Sequence, residues 1–302
     1  MKNKILLLIV VVLSVIAISG SKKETTYFNN AKKEEVKEEI KLALKDTSTG
    51  EIKNIELEDY IVGVVAGEMP ASFNEEALKA QAIASRTYAM YKMKNSNGTY
   101  DLVTDKTNQV YITEDKMKKL WQENFDYYFE KIKKAVYDTK DLIMTCNGNV
   151  ILSMYFARSN GKTEDAILVF GSNEKYLKSV ESPEESLISE VTISKDEFCN
   201  KLNISCDAIN ISNVLKSSSG RINSLNINGK TFKGTEIRTL FDLKSTDFDI
   251  SIGSEIKFVT KGYGHGVGMS QYGANKLAQN GKNYEEILKH YYQNINIEKI
   301  SV

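Results

Sequence analysis

Five of the chain's 18 glycines fall within the 12 residues Gly262-Tyr-Gly-His-Gly-Val-Gly-Met-Ser-Gln-Tyr-Gly273. Glycine loses more conformational freedom on folding than any other residue. Alternating glycines therefore suit places where backbone passes close to a neighbour or takes left-handed angles. The segment up to Gly268 is neither a regular helix nor a regular strand. It reads as a packed loop ahead of a helix that Ser270 can cap. It is not the dinucleotide fingerprint, because no G-x-G-x-x-G register fits. Nor is Gly161-Lys162-Thr163 a phosphate loop, since Phe156 occupies the position of the required first glycine. His265, one of only two histidines, is flanked by these glycines and so left open to a ligand. A purely structural loop is the competing reading.

Local signals elsewhere predict an α+β fold of mixed helices and antiparallel hairpins. Residues 40–65 (IKLALKDTSTGEIKNIELEDYIVGVV) read as strand, turn, strand and the start of a short helix. Pro70 ends that helix, because the residue before a proline is pushed out of the helical region. Ser72-Phe-Asn-Glu75 has the capping-box form, and Ala77, Ala80, Ala84, Tyr88 and Tyr91 follow at helical spacing. These features predict a helix over 73–93 whose alanine face allows close approach, which places it centrally. A polar loop spans 95–115, and a second helix, carrying Trp121, spans 115–138. Apolar runs around Asn147-Gly148 and Asn228-Gly229 predict hairpins with type I′ turns. Ser194-x-x-Glu197 starts a helix over 195–202, and GTEIRTLFDL reads as another. There is no strict βαβ alternation and no internal repeat.

The ends and the composition narrow the setting. Lys2 and Lys4 precede an uncharged run of 15 residues, Ile5–Ser19. As a helix this run is about 22 Å long, short of a ~30 Å hydrocarbon core unless its flanks join in. It reads as a cleaved signal peptide or a short signal anchor over 1–21, with the lysines kept inside and the remainder outside the cytoplasm. Residues 22–40 read as a charged stalk. Residues 41–302 read as the folded region, as one body or as two lobes meeting at a groove. A hydrophobic content of 41% excludes a mainly disordered chain. Equal numbers of basic and acidic residues, 40 each, exclude a dedicated nucleic-acid binder. The three cysteines show no CxxC and stand far from both histidines, so a structural zinc site is not expected. All three read as small buried apolar side chains, with a Cys199–Cys206 bridge possible if the backbone between them turns.

Three further segments carry candidate chemistry. Glu68, in Val64-Val-Ala-Gly-Glu68-Met-Pro70, follows an apolar stretch and sits where the helix must stop. An apolar setting raises a carboxyl pKa and suits a general acid, although most glutamates are plain surface residues. Arg86 stands in a small, apolar helical stretch (QAIASRTYA) and should pair with a carboxylate, grip a ligand or snorkel. Ser159-Asn-Gly-Lys-Thr163-Glu164 supplies hydroxyls and backbone donors suited to a polar substrate such as a sugar.

In order along the chain, VVAGEMPASFNEEALKAQAIASRTYA, SNGKTEDA…VFGS…YLKSV, GTEIRTLFDLKSTDF and GYGHGVGMSQYGA resemble the stage II sporulation protein D family. The resemblance runs from about residue 50 to 295 and is weakest over 184–225. It implies a peptidoglycan lytic transglycosylase that needs no cofactor, with Glu68 as catalytic acid/base and Arg86 supporting the substrate groove. Tyr88, Ser159, Thr163, His265, Gln271 and Tyr272 would line that groove. The implied partners are peptidoglycan glycan strands, an amidase resembling stage II sporulation protein P and a membrane partner resembling stage II sporulation protein M. The implied setting is the mother-cell membrane during forespore engulfment, with Glu68 on the wall side. Two departures stand out. Relatives commonly carry a His and a Ser/Gly-rich turn where this chain reads Tyr155-Phe-Ala-Arg-Ser-Asn-Gly161. Some bind zinc through a His and cysteines in the loop corresponding to Asn95–Asn108, which here contains neither, so no metal is expected. The alternative is a non-catalytic glycan-binding module that enhances an amidase. A cysteine peptidase pairing Cys146 with His265 is disfavoured, because Cys146 lies in a strand rather than at a helix N-terminus.

Overall fold

The computed structural model describes residues 39–300. The apolar run Ile5–Ser19 and almost all of the charged stalk lie outside the described residues. Strands β1 (Lys41–Lys45) and β2 (Ile52–Glu56) form an antiparallel hairpin. Their chain runs directly into helix α1 (Leu57–Glu68), which stops at Met69, held extended before Pro70. Helix α2 (Glu75–Lys94) is the hub, buried almost continuously from Ala77 to Ala89. It starts two residues later than its sequence suggests. Phe73 N–H bonds Pro70 O at 2.9 Å and closes a turn around Ser72, so Asn74 caps the helix by accepting from Glu76 N–H at 3.0 Å.

Strand β3 (Leu102–Val103) adds to β1 in parallel. The helix expected over 115–138 is two helices, α3 (Glu114–Trp121) and α4 (Phe125–Asp138). The intervening Gln122–Asn124 contains no buried residue. No packing opposes the break there, and Gln122 takes a left-handed φ of 48°. The first predicted hairpin forms as β4 (Leu142–Cys146) and β5 (Asn149–Val150), with Asn147 and Gly148 at φ 51° and 73°. Strand β6 (Tyr155–Phe156) and helix α5 (Ala166–Phe170) follow.

A second packing centre begins at β7 (Ile188–Ile193) and α6 (Lys195–Leu202), where Ser194 caps by accepting from Glu197 N–H at 3.1 Å. Strands β8 (Ile211–Lys216), β9 (Ile222–Ile227) and β10 (Lys230–Lys233) form one antiparallel sheet, and helix α7 (Gly234–Leu240) follows. Strands β11 (Phe248–Ile252) and β12 (Ile256–Lys261) pair with β7 in another. The chain then returns through β13 (Met269–Ser270), parallel to β6, into α8 (Gln271–Gln279), α9 (Tyr284–Tyr291) and β14 (Asn296–Lys299), which pairs with β4.

The fold is therefore α+β, with mainly antiparallel sheets. Its buried apolar residues form two clusters, a large one around α2 and a smaller one around Phe198, Phe241, Phe248 and Phe258. Cys199 and Cys206 correct the reading of three plain apolar side chains. Asn203, left-handed at φ 51°, reverses the chain after α6 and brings the two Cα atoms to 5.7 Å, where they form a disulfide. Cys146 is a free thiol. Among the described residues, no helix is long and apolar enough to cross a membrane.

Candidate functional site

Glu68 is the last residue of α1, so its side chain leaves the helix at the negative end of the helix dipole. Gly67 allows the next segment to close over it, since a Cβ there would lie 2.4 Å from Val110 O. The same approach delivers Val110 N–H to Glu68 Oε1 at 2.6 Å. From the far end of the sequence, Ser270 caps α8 and places Gln271 at its first turn, with Nε2 3.4 Å from Glu68 Oε2. Burial raises the Glu68 pKa, and these two hydrogen bonds oppose the rise without cancelling it. The carboxyl thus favours its protonated form relative to an ordinary glutamate.

Glu68 opens onto a cavity of about 370 Å³, bounded also by Tyr88, Asn108, Tyr155, Arg238 and His265. The volume lies within the usual range for small-molecule sites. Among the described residues, Glu68 is the only carboxylate lining it. Beneath the cavity, Tyr60 donates to Gln109 Oε1 at 3.1 Å, and Gln109 Nε2 donates to Tyr155 Oη at 2.9 Å. Burial raises the pKa of both tyrosines, which keeps them as neutral hydroxyls.

His265 lines the cavity. Its Nδ1 accepts from Val267 N–H at 3.1 Å, which leaves the ring proton on Nε2. Burial, with the nearby Arg238 and Arg221 charges, lowers its pKa to about 4. The ring is neutral at physiological pH, flanked by Phe156 and Phe170 at 5.7 and 5.4 Å. The loop that carries it is clamped: Gly268 has φ 77°, and a Cβ there would lie 1.9 Å from Met154 O.

The remaining expected groove residues divide. Tyr88 lines the cavity, and Gln271 touches Glu68. Tyr272 is not among the cavity-lining residues; it packs with the Arg158 guanidinium 3.6 Å above its ring and Phe73 edge-on at 4.9 Å. Arg86 is placed differently from the expectation of a groove residue. It is fully buried, and its Nε and Nη2 reach Glu58 at 2.8 and 2.6 Å. The remaining guanidinium contacts go to Leu142 O and Val136 O, both at 3.1 Å. Ser159 and Thr163 are also fully buried rather than exposed to a ligand. Ser159 N–H donates to Glu184 at 2.7 Å, while Thr163 exchanges two bonds of 2.8 Å with the backbone of Val180.

Glu184 was not apparent in the sequence, where it sits in a stretch without a recognisable pattern. It ties the loop after β6 to the start of α8 by accepting from Ser159 N–H, Ser182 Oγ and Ser270 Oγ. Burial favours its neutral form, but these bonds outweigh burial and its pKa is lowered. Among the described residues, no group of His, Cys, Asp and Glu side chains has an arrangement that could hold a metal ion.

The fold and cavity define an α+β protein with a single desolvated carboxyl facing a small-molecule-sized site. Residues 45–146 match the family model described as stage II sporulation protein. Stage II sporulation protein D of Bacillus subtilis is 39% identical over 265 residues, covering 84% of this chain and 77% of the relative. The protein of that name from Bacillus amyloliquefaciens matches at the same identity and coverage, 39% over 265 residues. The amidase enhancer of Bacillus subtilis is 30% identical over 292 residues, covering 76% of this chain and 39% of the relative. The chain belongs to the stage II sporulation protein D family.

Proposed function

We propose that the protein is a peptidoglycan lytic transglycosylase of sporulation, with Glu68 as its single general acid/base. The observation that carries this reading is the desolvated Glu68 carboxyl, the only carboxylate at the cavity among the described residues. Hydrolysing glycosidases generally use two carboxylates, one to protonate the leaving oxygen and one to activate water or attack the sugar. A lytic transglycosylase needs one. Glu68 donates its proton to the oxygen linking MurNAc to GlcNAc. The resulting carboxylate takes the proton of the muramic 6-hydroxyl as that oxygen attacks C1, closing a 1,6-anhydro ring and regenerating the acid. Val110 N–H and Gln271 Nε2 stabilise the transient anion. His265, neutral with its ring proton fixed, is a wall rather than a proton donor.

The same reading places the protein with a cell-wall amidase and a membrane partner in forespore engulfment. Residues 5–19 anchor it, and the catalytic region faces the wall side of the mother-cell membrane. The test is cleavage of amidase-treated peptidoglycan by the protein and by Glu68→Gln, with fragments read by mass spectrometry. Anhydro-muramoyl ends from the wild type and a drop of about 10²–10⁴-fold in the variant are expected. Reducing ends would identify a hydrolase instead. Similarity to the Bacillus subtilis amidase enhancer favours one second reading, a glycan-binding module that stimulates an amidase. Under that reading neither protein cleaves, and both retain glycan binding and amidase stimulation.

A further inference from the structure

The cavity wall at His265 is braced by a distant part of the chain. Ser217-Ser-Ser-Gly-Arg221 joins β8 to β9, strands of the smaller packing cluster. The turn closes on itself, with Gly220 N–H donating to Ser217 O at 3.0 Å and Ser217 N–H to Arg221 O at 2.8 Å. Its side chains tie it to the loop after β6. The hydroxyls of Ser217 and Ser219 both donate to Glu164 Oε2. Arg221 is fully buried, and its Nη1 donates to Lys162 O and Ser219 Oγ, both at 3.0 Å.

Gly266, next to His265, is held by this assembly in two ways. Its carbonyl accepts from Glu164 N–H at 2.7 Å. Its α-carbon lies against the Arg221 guanidinium, since a Cβ there would come within 2.7 Å of Cζ and Nε. Among the described residues, Arg221 Nε has no hydrogen-bond partner. A buried unpaired donor is costly, and the fold accepts that cost while keeping the guanidinium against Gly266. The turn at Gly266, with φ 86°, presents Val267 N–H to His265 Nδ1. That bond and a second one, to the backbone of Tyr155, orient the imidazole ring.

We propose that Arg221 is a positioning residue for the reaction: packed on Gly266, it holds the turn that sets the His265 ring in the cavity wall. This deepens the glycan-cleaving reading above and rests on it. The charge of Arg221 works with its shape. Burial lowers its pKa, Glu164, Asp247 and Glu184 oppose that, and a guanidinium stays charged at physiological pH. Arg221 and Arg238, on α7, both disfavour a second positive charge on His265. Glu68, Lys106 and the hydroxyls of Tyr88, Tyr155 and Tyr263 are the other titratable groups at this cavity. Protonation of His265 would set an Nδ1–H against Val267 N–H, two donors with no acceptor between them, and would open the turn.

The test measures cleavage of amidase-treated peptidoglycan beside the titration of His265, followed by the NMR signals of its ring protons. The proteins are the wild type, Arg221→Met, Arg221→Lys, His265→Gln and the double variant Arg221→Lys/His265→Gln. Arg221→Met should cleave about 10²-fold more slowly, the scale of a small misplacement passed on from outside the chemistry. Its His265 should titrate above the wild-type value of about 4, and its rate should fall as pH drops through that raised value. Arg221→Lys keeps the charge but not the plane against Gly266, so its rate should fall while His265 titrates near the wild-type value. The double variant should cleave no more slowly than His265→Gln alone, because the arginine acts through that ring. Losses that multiply in the double variant overturn the proposal. So does a folded Arg221→Met with the wild-type rate or an unmoved His265 titration. The double-variant comparison needs only Arg221→Lys, which retains the buried charge, so it decides the matter where Arg221→Met does not fold. If the wild type cleaves nothing, the transglycosylase reading fails. The same comparison read as glycan affinity then decides whether Arg221 holds His265 in a binding site.

Discussion

Replacing Arg86 by alanine distinguishes a structural arginine from a substrate-binding one. Its guanidinium is 0% exposed, and the partner Glu58 side chain is 7% exposed. Truncation removes the bidentate pair, leaves the two carbonyls at Leu142 and Val136 without their donor, and strands the Glu58 carboxylate in the core. Breaking a buried pair from one side costs about 3–5 kcal/mol. At about 2–4 °C per kcal/mol for a domain near this size, the melting temperature should fall by about 6–20 °C. Thermal unfolding followed by far-UV circular dichroism reads this directly, beside a cleavage assay well below the transition. Arg86→Lys should also melt early, because one ammonium cannot span the Glu58 fork and both carbonyls. Replacing Arg86 and Glu58 together by methionine should recover much of the loss, since the stranded charge is then gone. Unchanged melting of Arg86→Ala with lost glycan binding would refute this reasoning and return the side chain to the substrate.

Two further predictions concern the site and the smaller packing cluster. The Gln271 bond favours the ionised form of Glu68, so Gln271→Ala should raise the Glu68 pKa further. Activity that needs the acid form is lost as pH rises through that pKa. The alkaline limb of the pH–rate profile should therefore move to higher pH in the variant, and a move to lower pH would argue against the assignment. Reduction of Cys199–Cys206, seven residues apart, should destabilise the protein by about 2.5 kcal/mol from loop closure alone. Calorimetry with and without reductant, using Cys199→Ser/Cys206→Ser as the control, measures this.

Much of the fold is legible because its signals are local and each has a mechanism. Pro70 stops α1, Asn147-Gly148 and Asn228-Gly229 take the left-handed angles of tight hairpins, and Ser194 and Ser270 cap the helices they precede. Misreadings came where a partner is remote or packing is absent. Ser72 carries the capping pattern, but the turn from Pro70 hands the role to Asn74. Nothing in Gln122-Glu-Asn124 forbids a helix, yet none of the three is buried to hold one together. Arg86 shows the same limit at the site. An arginine in an apolar helix must be paired, but the sequence cannot say that Glu58, 28 residues earlier, supplies the carboxylate. Glu68 was recognisable from its apolar setting. Its actual environment comes from Val110 and from Gln271, 203 residues away.

Half-buried Glu68 and buried Glu184 separate support from chemistry through opposite effects of pH. Glu184 has a lowered pKa, so it contributes stability above the ordinary carboxyl range, and that contribution is lost as pH falls through its folded value. Glu68 has a raised pKa. Between the ordinary value near 4.5 and its folded value, the unfolded chain releases a proton that the folded chain retains, so stability falls as pH rises. Keeping an acid ready in a desolvated site therefore weakens the fold at working pH, as functional sites commonly do. Glu68→Gln should lower cleavage by about 10²–10⁴-fold yet melt no lower than the wild type at pH 8, with any gain in melting temperature disappearing near pH 4. If the variant instead melts lower at pH 8 than the wild type and not at pH 4, the fold is stabilising the Glu68 carboxylate. A residue held in that form could not serve as the acid.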